Sequence, residues 1–185
     1  MKIVFVNGSP RPNGNTGTML RTLARKAEER GVDITYFEIV ENDVHDCDGC
    51  YRCNTEEVCS QDDDMRMLYG LIEQADVLVI GSPIYMGMET GLTKCFLDRL
   101  YYLMARKSIQ PGRKAAALFT CGTMDGHVVY GYMNVRYTKL LHKDLGFDDV
   151  RTFIVPGTKN EVNVDDNYYA QETLKELEQF IFPEV

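Results

Sequence analysis

Residues 2–17 read Lys2-Ile-Val-Phe-Val-Asn7 and then Gly8-Ser-Pro-Arg-Pro-Asn-Gly-Asn-Thr-Gly17. Four consecutive apolar residues, each β-branched or aromatic and bounded by turn formers, have the form of a strand buried on both faces. They predict the central strand of a parallel sheet. The loop after it is rich in Gly, Ser, Asn and Thr, carries Arg11 and two prolines that fix φ, and opens onto an amphipathic helix. N–H groups at the helix start, donors from Ser9, Asn15, Thr16 and Thr18, and the charge of Arg11 can converge on one phosphate. A polar turn joining strand to helix is the other reading of the same residues.

What the loop lacks narrows the ligand. Neither the Gly-x4-Gly-Lys-Ser/Thr of a P-loop nor the Gly-x-Gly-x-x-Gly of a dinucleotide site can be laid on residues 8–17. A nucleoside triphosphate and a Rossmann-bound NAD are disfavoured, and a monophosphate held mostly by uncharged donors, as in FMN, fits best.

Strand and helix patterns then alternate about five times. Apolar residues at helical spacing (Met19, Leu20, Leu23, Ala24, Ala27) predict a helix over 16–30, followed by a strand near 32–39. Residues 41–61 have no period. A helix begins near Asp62, Asp63 and Asp64, whose charges complement its positive end, and buries Met65, Leu68, Leu71 and Ile72. Strands are expected over 76–81, 115–120 and 150–155. Helices are expected through Leu92, Cys95, Phe96, Leu100 and Leu103, over 133–145, and over 168–181. Parallel strands joined by right-handed helical crossovers pack helices on both faces of the sheet. The prediction is an α/β three-layer fold, flavodoxin-like, with a five-stranded parallel sheet of order 2-1-3-4-5 and its ligand at the carboxyl ends of the first and third strands. One domain over 1–185, with the Cys-rich loop at 41–61, accounts for the length.

The end of the third strand is Ser82-Pro-Ile-Tyr-Met-Gly87. Its proline is rigid, its glycine admits close backbone, and Tyr85 and Met86 can lie against a flat apolar ring. A strand-to-helix turn whose tyrosine covers core is the alternative. Gly8-Ser-Pro-Arg, Asn15-Thr16, Gly81-Ser-Pro-Ile-Tyr-Met-Gly87 and Leu97-Asp-Arg99 together resemble the NADPH-dependent FMN reductase branch of flavodoxin-like proteins, from Met1 to about Leu100. The resemblance implies that Ser9, Arg11, Asn15, Thr16 and Gly17 surround an FMN phosphate, and that Pro83, Ile84, Tyr85, Met86 and Gly87 surround its ring and ribityl chain. The loop 121–126 stands where a third flavin-contacting loop would be, and no residue role is carried over to it.

Cys47, Cys50, Cys53 and Cys59 form C-x2-C-x2-C-x5-C. Three thiolates at two-residue spacing with a fourth to close the site are a pattern for cubane iron-sulfur ligation, whereas structural zinc sites usually join two Cys pairs through a longer spacer. The pattern, with Asp62-Asp-Asp-Met65 after it, resembles the iron-sulfur flavoproteins of the same family, which implies one [4Fe-4S] cluster on the four cysteines. A vestigial loop or a single reactive thiol is the competing reading. Cys95 lies on an apolar stripe and is expected in the core. His45, His127 and His142 share no metal-site spacing, and a surface or capping role is expected for His127.

With 28 acidic against 20 basic residues the chain carries a formal charge of −8, which argues against nucleic acid or an anionic membrane as partner. No apolar run approaches the roughly 20 residues of a membrane span, and Met1 leads straight into a strand, so a cytoplasmic location is expected. There the six cysteines are metal ligands, reactive thiols or core residues rather than disulfides. The expected function is an electron-transfer flavoprotein that joins two-electron and one-electron partners, with protein groups positioning and tuning the cofactors and no catalytic acid or base demanded. NAD(P)H is a candidate donor, and a ferredoxin docking on the basic segment 106–114 a candidate carrier. Asp46, Asp48, Glu56 and Glu57 are expected to lower the cluster's potential. A cluster-free NAD(P)H-dependent FMN or quinone reductase is the nearest alternative; a redox sensor or zinc-stapled binding module without flavin is a rival of another class. A phosphatase is excluded, because no Cys is followed six residues later by Arg. A homo-oligomer, dimer or tetramer, is expected to cover the Cys loop.

Overall fold

In the computed structural model, which describes residues 1–159 and 164–183, five parallel strands form one sheet of order β2-β1-β3-β4-β5, the order expected. The strands are β1 (Lys2–Asn7), β2 (Asp33–Glu38), β3 (Val77–Pro83), β4 (Lys114–Thr120) and β5 (Asp149–Val155). Alternation along β1 feeds two cores. Ile3 and Phe5 pack with Met19, Leu20 and Leu23 of α1 (Asn15–Glu29) and with Leu174, Leu177 and Phe180 of α7 (Tyr168–Ile181). Val4 and Val6 pack on the other face with Met65, Leu68 and Ile72 of α2 (Met65–Gln74), with Phe96 of α3 (Gly91–Arg99) and with Leu103 of α4 (Tyr101–Arg106). Within α2 it is Tyr69 that is buried, while Leu71 is half-buried.

Two predicted helices are broken. The helix through Leu103 divides at Leu100, whose N–H is shared between the Phe96 and Leu97 carbonyls at 3.2 Å each, the tightened pattern of a helix end. Beside the break, the Arg99 carbonyl accepts the Tyr69 hydroxyl at 3.2 Å. A short helix not predicted, α5 (Gly126–Val129), precedes the helix predicted over 133–145, which is two pieces, α6 (Tyr132–Tyr137) and a π-helical continuation, Thr138–Asp144. There Leu145 N–H reaches back five residues to Leu140 O at 3.0 Å.

Register aligns the carboxyl ends that matter. Asn7 stands beside Glu38 on one side and Gly81 on the other, Pro83 beside Thr120, and Thr120 beside Val155. The loops after β1, β3, β4 and β5 therefore open on one edge of the sheet. Among the described residues no helix is long and apolar enough to cross a membrane.

Candidate functional site

At that edge lies a cleft of about 450 Å³ lined by Ser9, Arg11, Asn15 and Thr16 from the first loop, Pro83, Ile84 and Tyr85 after β3, Thr120, Cys121 and Gly122 after β4, and Thr158 and Lys159 after β5. The first loop is held by its own side chains and by side chains from its flanks. Asn7 Oδ1 accepts Ser9 N–H at 3.1 Å, Ser9 Oγ donates to Arg11 O at 3.0 Å, and Arg21 Nη2 donates to Pro12 O at 2.6 Å. Thr90, the N-cap of α3, donates its Oγ1 to Gly8 O at 2.5 Å, and Thr16 and Thr120 join hydroxyls at 2.7 Å. Gly17 packs so closely that a Cβ would stand 1.9 Å from Pro12 O. Gly14, the N-cap of α1, offers no side-chain cap, and a helix N-terminus with this donor set fits a phosphate.

Below the loop, Asn7 Nδ2 donates to Glu38 Oε2 at 2.7 Å, and Arg21 Nη1 pairs with Glu38 Oε1 at 3.0 Å. Burial raises the Glu38 carboxyl above its usual range, and the bonds from Asn7 and Arg21 only partly offset it.

Seven of the eleven residues predicted for FMN line this cleft, and four do not. Gly17 is sealed under Pro12 and Asn7, and Thr18 lines a separate groove with Arg21, Tyr36 and Glu38. Met86 and Gly87 form the tip of a two-residue turn, both with positive φ, closed by Tyr85 N–H to Met88 O at 2.8 Å and Met88 N–H to Tyr85 O at 3.1 Å. The Tyr132 hydroxyl donates to Gly87 O and fastens the turn to α6. Sequence reasoning assigned no role to Thr120, Gly122, Thr158 and Lys159, which the sheet brings in from far along the chain. Asn15 Nδ2 donates to Thr158 O at 3.2 Å and to Lys159 O at 3.3 Å.

The four cysteines of the long loop line a second cavity, about 260 Å³, with Tyr69, Arg99, Tyr101 and Tyr102. Cys47 and Cys50 are exposed; Cys53 and Cys59 are half-buried, and all six cysteines are free thiols. Burial first, then repulsion from Cys59, Cys47 and Cys50, raises the Cys53 thiol. Among the described residues no three His, Cys, Asp or Glu side chains are gathered closely enough to hold a single metal ion. Four thiols lining one cavity are a donor set of the kind that iron-sulfur clusters take.

Side chains from α2, α3 and α4 hold this loop in place. Arg66 donates to Gln61 O and Cys59 O at 2.8 and 3.0 Å, Tyr102 Oη to Glu57 O at 2.6 Å, and Arg106 to Glu56 O at 3.1 Å. The acidic triplet serves the same end: Asp64 Oδ2 accepts Asp43 N–H at 2.8 Å, and Asp63 Oδ2 accepts His45 N–H at 3.1 Å. At the centre is Arg99, its side chain 1% exposed, paired with Asp63 at 0%. Arg99 Nη1 and Nη2 reach the two Asp63 oxygens at 2.5 and 2.9 Å. Burial pushes the Asp63 carboxyl up, but the Arg99 hydrogen bonds and charge outweigh it and hold it below the usual carboxylate range. A signal for Arg99 was present: with Leu92, Phe96 and Leu103 it falls on the buried stripe at i+3 and i+4 spacing.

Cys95 is half-buried rather than in the core as expected. Cys121 is buried against the cleft, with its Sγ 3.6 Å from Val155 O. His127 is exposed, its ring 6.2 Å from that of Tyr169. The basic segment 106–114 is largely engaged: Arg106 with Glu56, Arg113 with Asp76, and Lys114 Nζ with Phe180 O at 3.1 Å.

Comparison with known proteins agrees with this geometry. An iron-sulfur flavoprotein of Archaeoglobus fulgidus is 31% identical over 134 residues, which cover 72% of this chain and 61% of that protein. A second from the same organism is 29% identical over 158 residues, covering 85% and 78%. One of Methanocaldococcus jannaschii is 31% identical over 99 residues, covering 54% and 51%, so the chain spans only about half to two thirds of some of these relatives. Among solved structures, an NAD(P)H:quinone oxidoreductase from Methanothermobacter marburgensis superposes with TM-score 0.74 over 100% of this chain and 99% of that one, at 12% identity. An FMN-dependent NADH-azoreductase from Bacillus anthracis, solved with FMN, gives 0.65 over 97% and 98%, at 13% identity. At such identities the likeness carries the fold alone. The NADPH-dependent FMN reductase pattern, however, matches residues 1–134, a span that takes in the first loop, the turn after β3 and all four loop cysteines, and the chain belongs to that family.

Proposed function

We propose that this protein is an FMN-dependent oxidoreductase of the iron-sulfur flavoprotein type, taking a pair of electrons from a donor such as NAD(P)H and passing them singly to a one-electron carrier. The observation that carries the reading is that Cys47, Cys50, Cys53 and Cys59 all line one cavity in a chain of a family whose first loop here lines a second cleft at the sheet edge. FMN supplies hydride acceptance and single-electron release, and a [4Fe-4S] cluster supplies one-electron steps. In this reading Ser9, Arg11, Asn15, Thr16 and the α1 N-terminus hold the phosphate, with Gly17 shaping the loop beneath them. Pro83, Ile84 and Tyr85 flank the ring, with Met86 and Gly87 at its rim. The side chains that clamp the Cys loop hold Cys59 directly, through Arg66 and Arg99. Free thiols throughout suit a reducing compartment such as the cytoplasm.

The exposure of Cys47 and Cys50, with Tyr51 and Val58 exposed beside them, supports a homo-oligomer in which a second copy covers the loop. A stable holo monomer in sedimentation refutes that part. The one-electron carrier in this reading is a ferredoxin or a like partner docking on the basic segment 106–114, where Arg106 and Lys114 donate to backbone carbonyls that do not neutralise their charge.

Anaerobic purification followed by absorbance, iron and acid-labile sulfide analysis tests the reading. The expected result is a broad shoulder above the flavin bands with about four irons per chain, and Cys50→Ala removes the iron while FMN stays bound. A clean flavin spectrum favours the second reading, a cluster-free NAD(P)H-dependent FMN or quinone reductase.

A further inference from the structure

Among the described residues Arg99 is the one cation that donates to the sulfur of a loop cysteine: Nη2 lies 3.5 Å from Cys59 Sγ. The same guanidinium is fixed on every side. Nε donates to Tyr69 Oη at 3.2 Å, and Nη1 donates to His45 O and Gln61 Oε1 at 3.1 Å each, in addition to the fork on Asp63. The acidic residues near the cysteines, by contrast, lie on the outer side of the loop. Asp48 is exposed and accepts Cys50 N–H at 3.2 Å, Glu56 is exposed and pairs with Arg52 of the same loop at 3.9 Å, and Glu57 is exposed. A donor N–H on a ligating sulfur stabilises the electron-rich, reduced state, and the lever is strongest where the donor is buried and immobile.

We infer that Arg99, through its Nη2 bond to Cys59 Sγ, raises the reduction potential of the centre held by the four cysteines and so opposes the acidic outer face of the loop. The inference rests on the cluster reading above. Arg99 acts as a positioning residue: it touches a ligand sulfur and not a substrate. Asp63 sets how much of its charge the sulfur feels, because the ion pair neutralises the guanidinium while leaving the N–H directed at Cys59. Arginine suits this place and lysine does not, since a single ammonium cannot span the Asp63 carboxylate and the Cys59 sulfur at once.

The test uses the full chain, purified anaerobically and reconstituted with iron and sulfide, with the cluster potential followed by EPR in a redox titration and the flavin potential by absorbance in the same sample. Arg99→Lys is expected to keep its iron and to show a more negative cluster potential with the flavin potential unmoved. Asp63→Asn, which leaves the guanidinium on Cys59 and removes its counter-charge, is expected to shift the cluster potential upward. An iron-loaded Arg99→Lys with the wild-type potential overturns this inference alone. If Arg99→Lys loses its iron, Asp63→Asn decides: an upward shift sustains the inference, and an unchanged potential overturns it. A wild-type chain that takes up no iron overturns the cluster reading and this inference with it.

Discussion

The two cavities are built in opposite ways. The cleft at the sheet edge is made by strand register and by a loop that satisfies itself: Asn7, Ser9 and Thr16 are buried, and their bonds run to neighbours in the same loop or to the adjoining strand ends. The Cys cavity is walled by a loop with one short helical turn, Arg52–Asn54, and little buried surface, held from behind by Arg66, Arg99, Tyr102 and Arg106. A site made by the sheet survives the loss of any one lateral contact. A site made by clamps is only as stable as its central one.

The largest expected effect follows from that difference. Arg99→Leu leaves Asp63 buried without its partner, and breaking a buried pair in this way costs about 3–5 kcal/mol. Urea unfolding monitored by far-UV CD is expected to show a loss of that size, together with release of the Cys loop to limited proteolysis, while the folded fraction binds FMN with unchanged affinity. Equal damage to FMN binding would mean that the two regions are one cooperative unit, and the contrast fails.

Asp63 adds a pH signature to the same clamp. Its folded pKa is depressed, so its contribution is complete above the unfolded value, near about 3.9, and is lost as pH falls through the lower folded value. The gap in Tm between wild type and Asp63→Asn is expected to stay flat from pH 7 to about 5 and to close below about pH 4. A gap that instead narrowed between pH 6 and 8 would show that Asp63 is not the charged partner.

On the cleft side, Gly17→Ala forces a Cβ to within 1.9 Å of Pro12 O, a backbone atom that cannot swing away. Overpacking of this kind costs about 1–3 kcal/mol, and the loop must shift to relieve it. Calorimetry is expected to show that loss together with FMN binding weakened by about tenfold or more, equivalent to about 1.4 kcal/mol, with iron uptake untouched.

How much could be read from the sequence follows the same division. β1 and its loop were legible because everything they need is local: a buried four-residue strand, turn formers and an uncapped helix start. The cysteines were legible as a spacing. The far wall of the cleft was not, since Thr120, Gly122, Thr158 and Lys159 come from later crossovers and meet Ser9 and Asn15 only once the strand order is known. Arg99 is 40 residues from Cys59; its place on an apolar stripe marked it as buried, but nothing in the sequence named the sulfur it reaches. The helices broken at Leu100 and after Tyr137 kept their apolar periodicity, which is blind to where a carbonyl leaves the ladder or a turn gains a residue.

The smallest effect is expected at Met86, where the cleft meets solvent. Met86 has φ +50° and Gly87 φ +89°, the pair of left-handed residues that a two-residue hairpin turn requires, and Asn-Gly fills such a turn with least strain. Methionine there carries a left-handed penalty that asparagine largely avoids, and its side chain is fully exposed, at 102%, so no packing within the chain offsets the strain. Met86→Asn is therefore expected to raise stability by up to about 1 kcal/mol in thermal unfolding. Strain kept without an internal return points to an external contact, and in the function proposed above that contact is the flavin ring. The same variant is expected to bind FMN more weakly by a few-fold, measured by fluorescence titration. Higher stability with unchanged FMN affinity would remove Met86 from the ring's surroundings and leave the cleft bounded by Pro83, Ile84 and Tyr85.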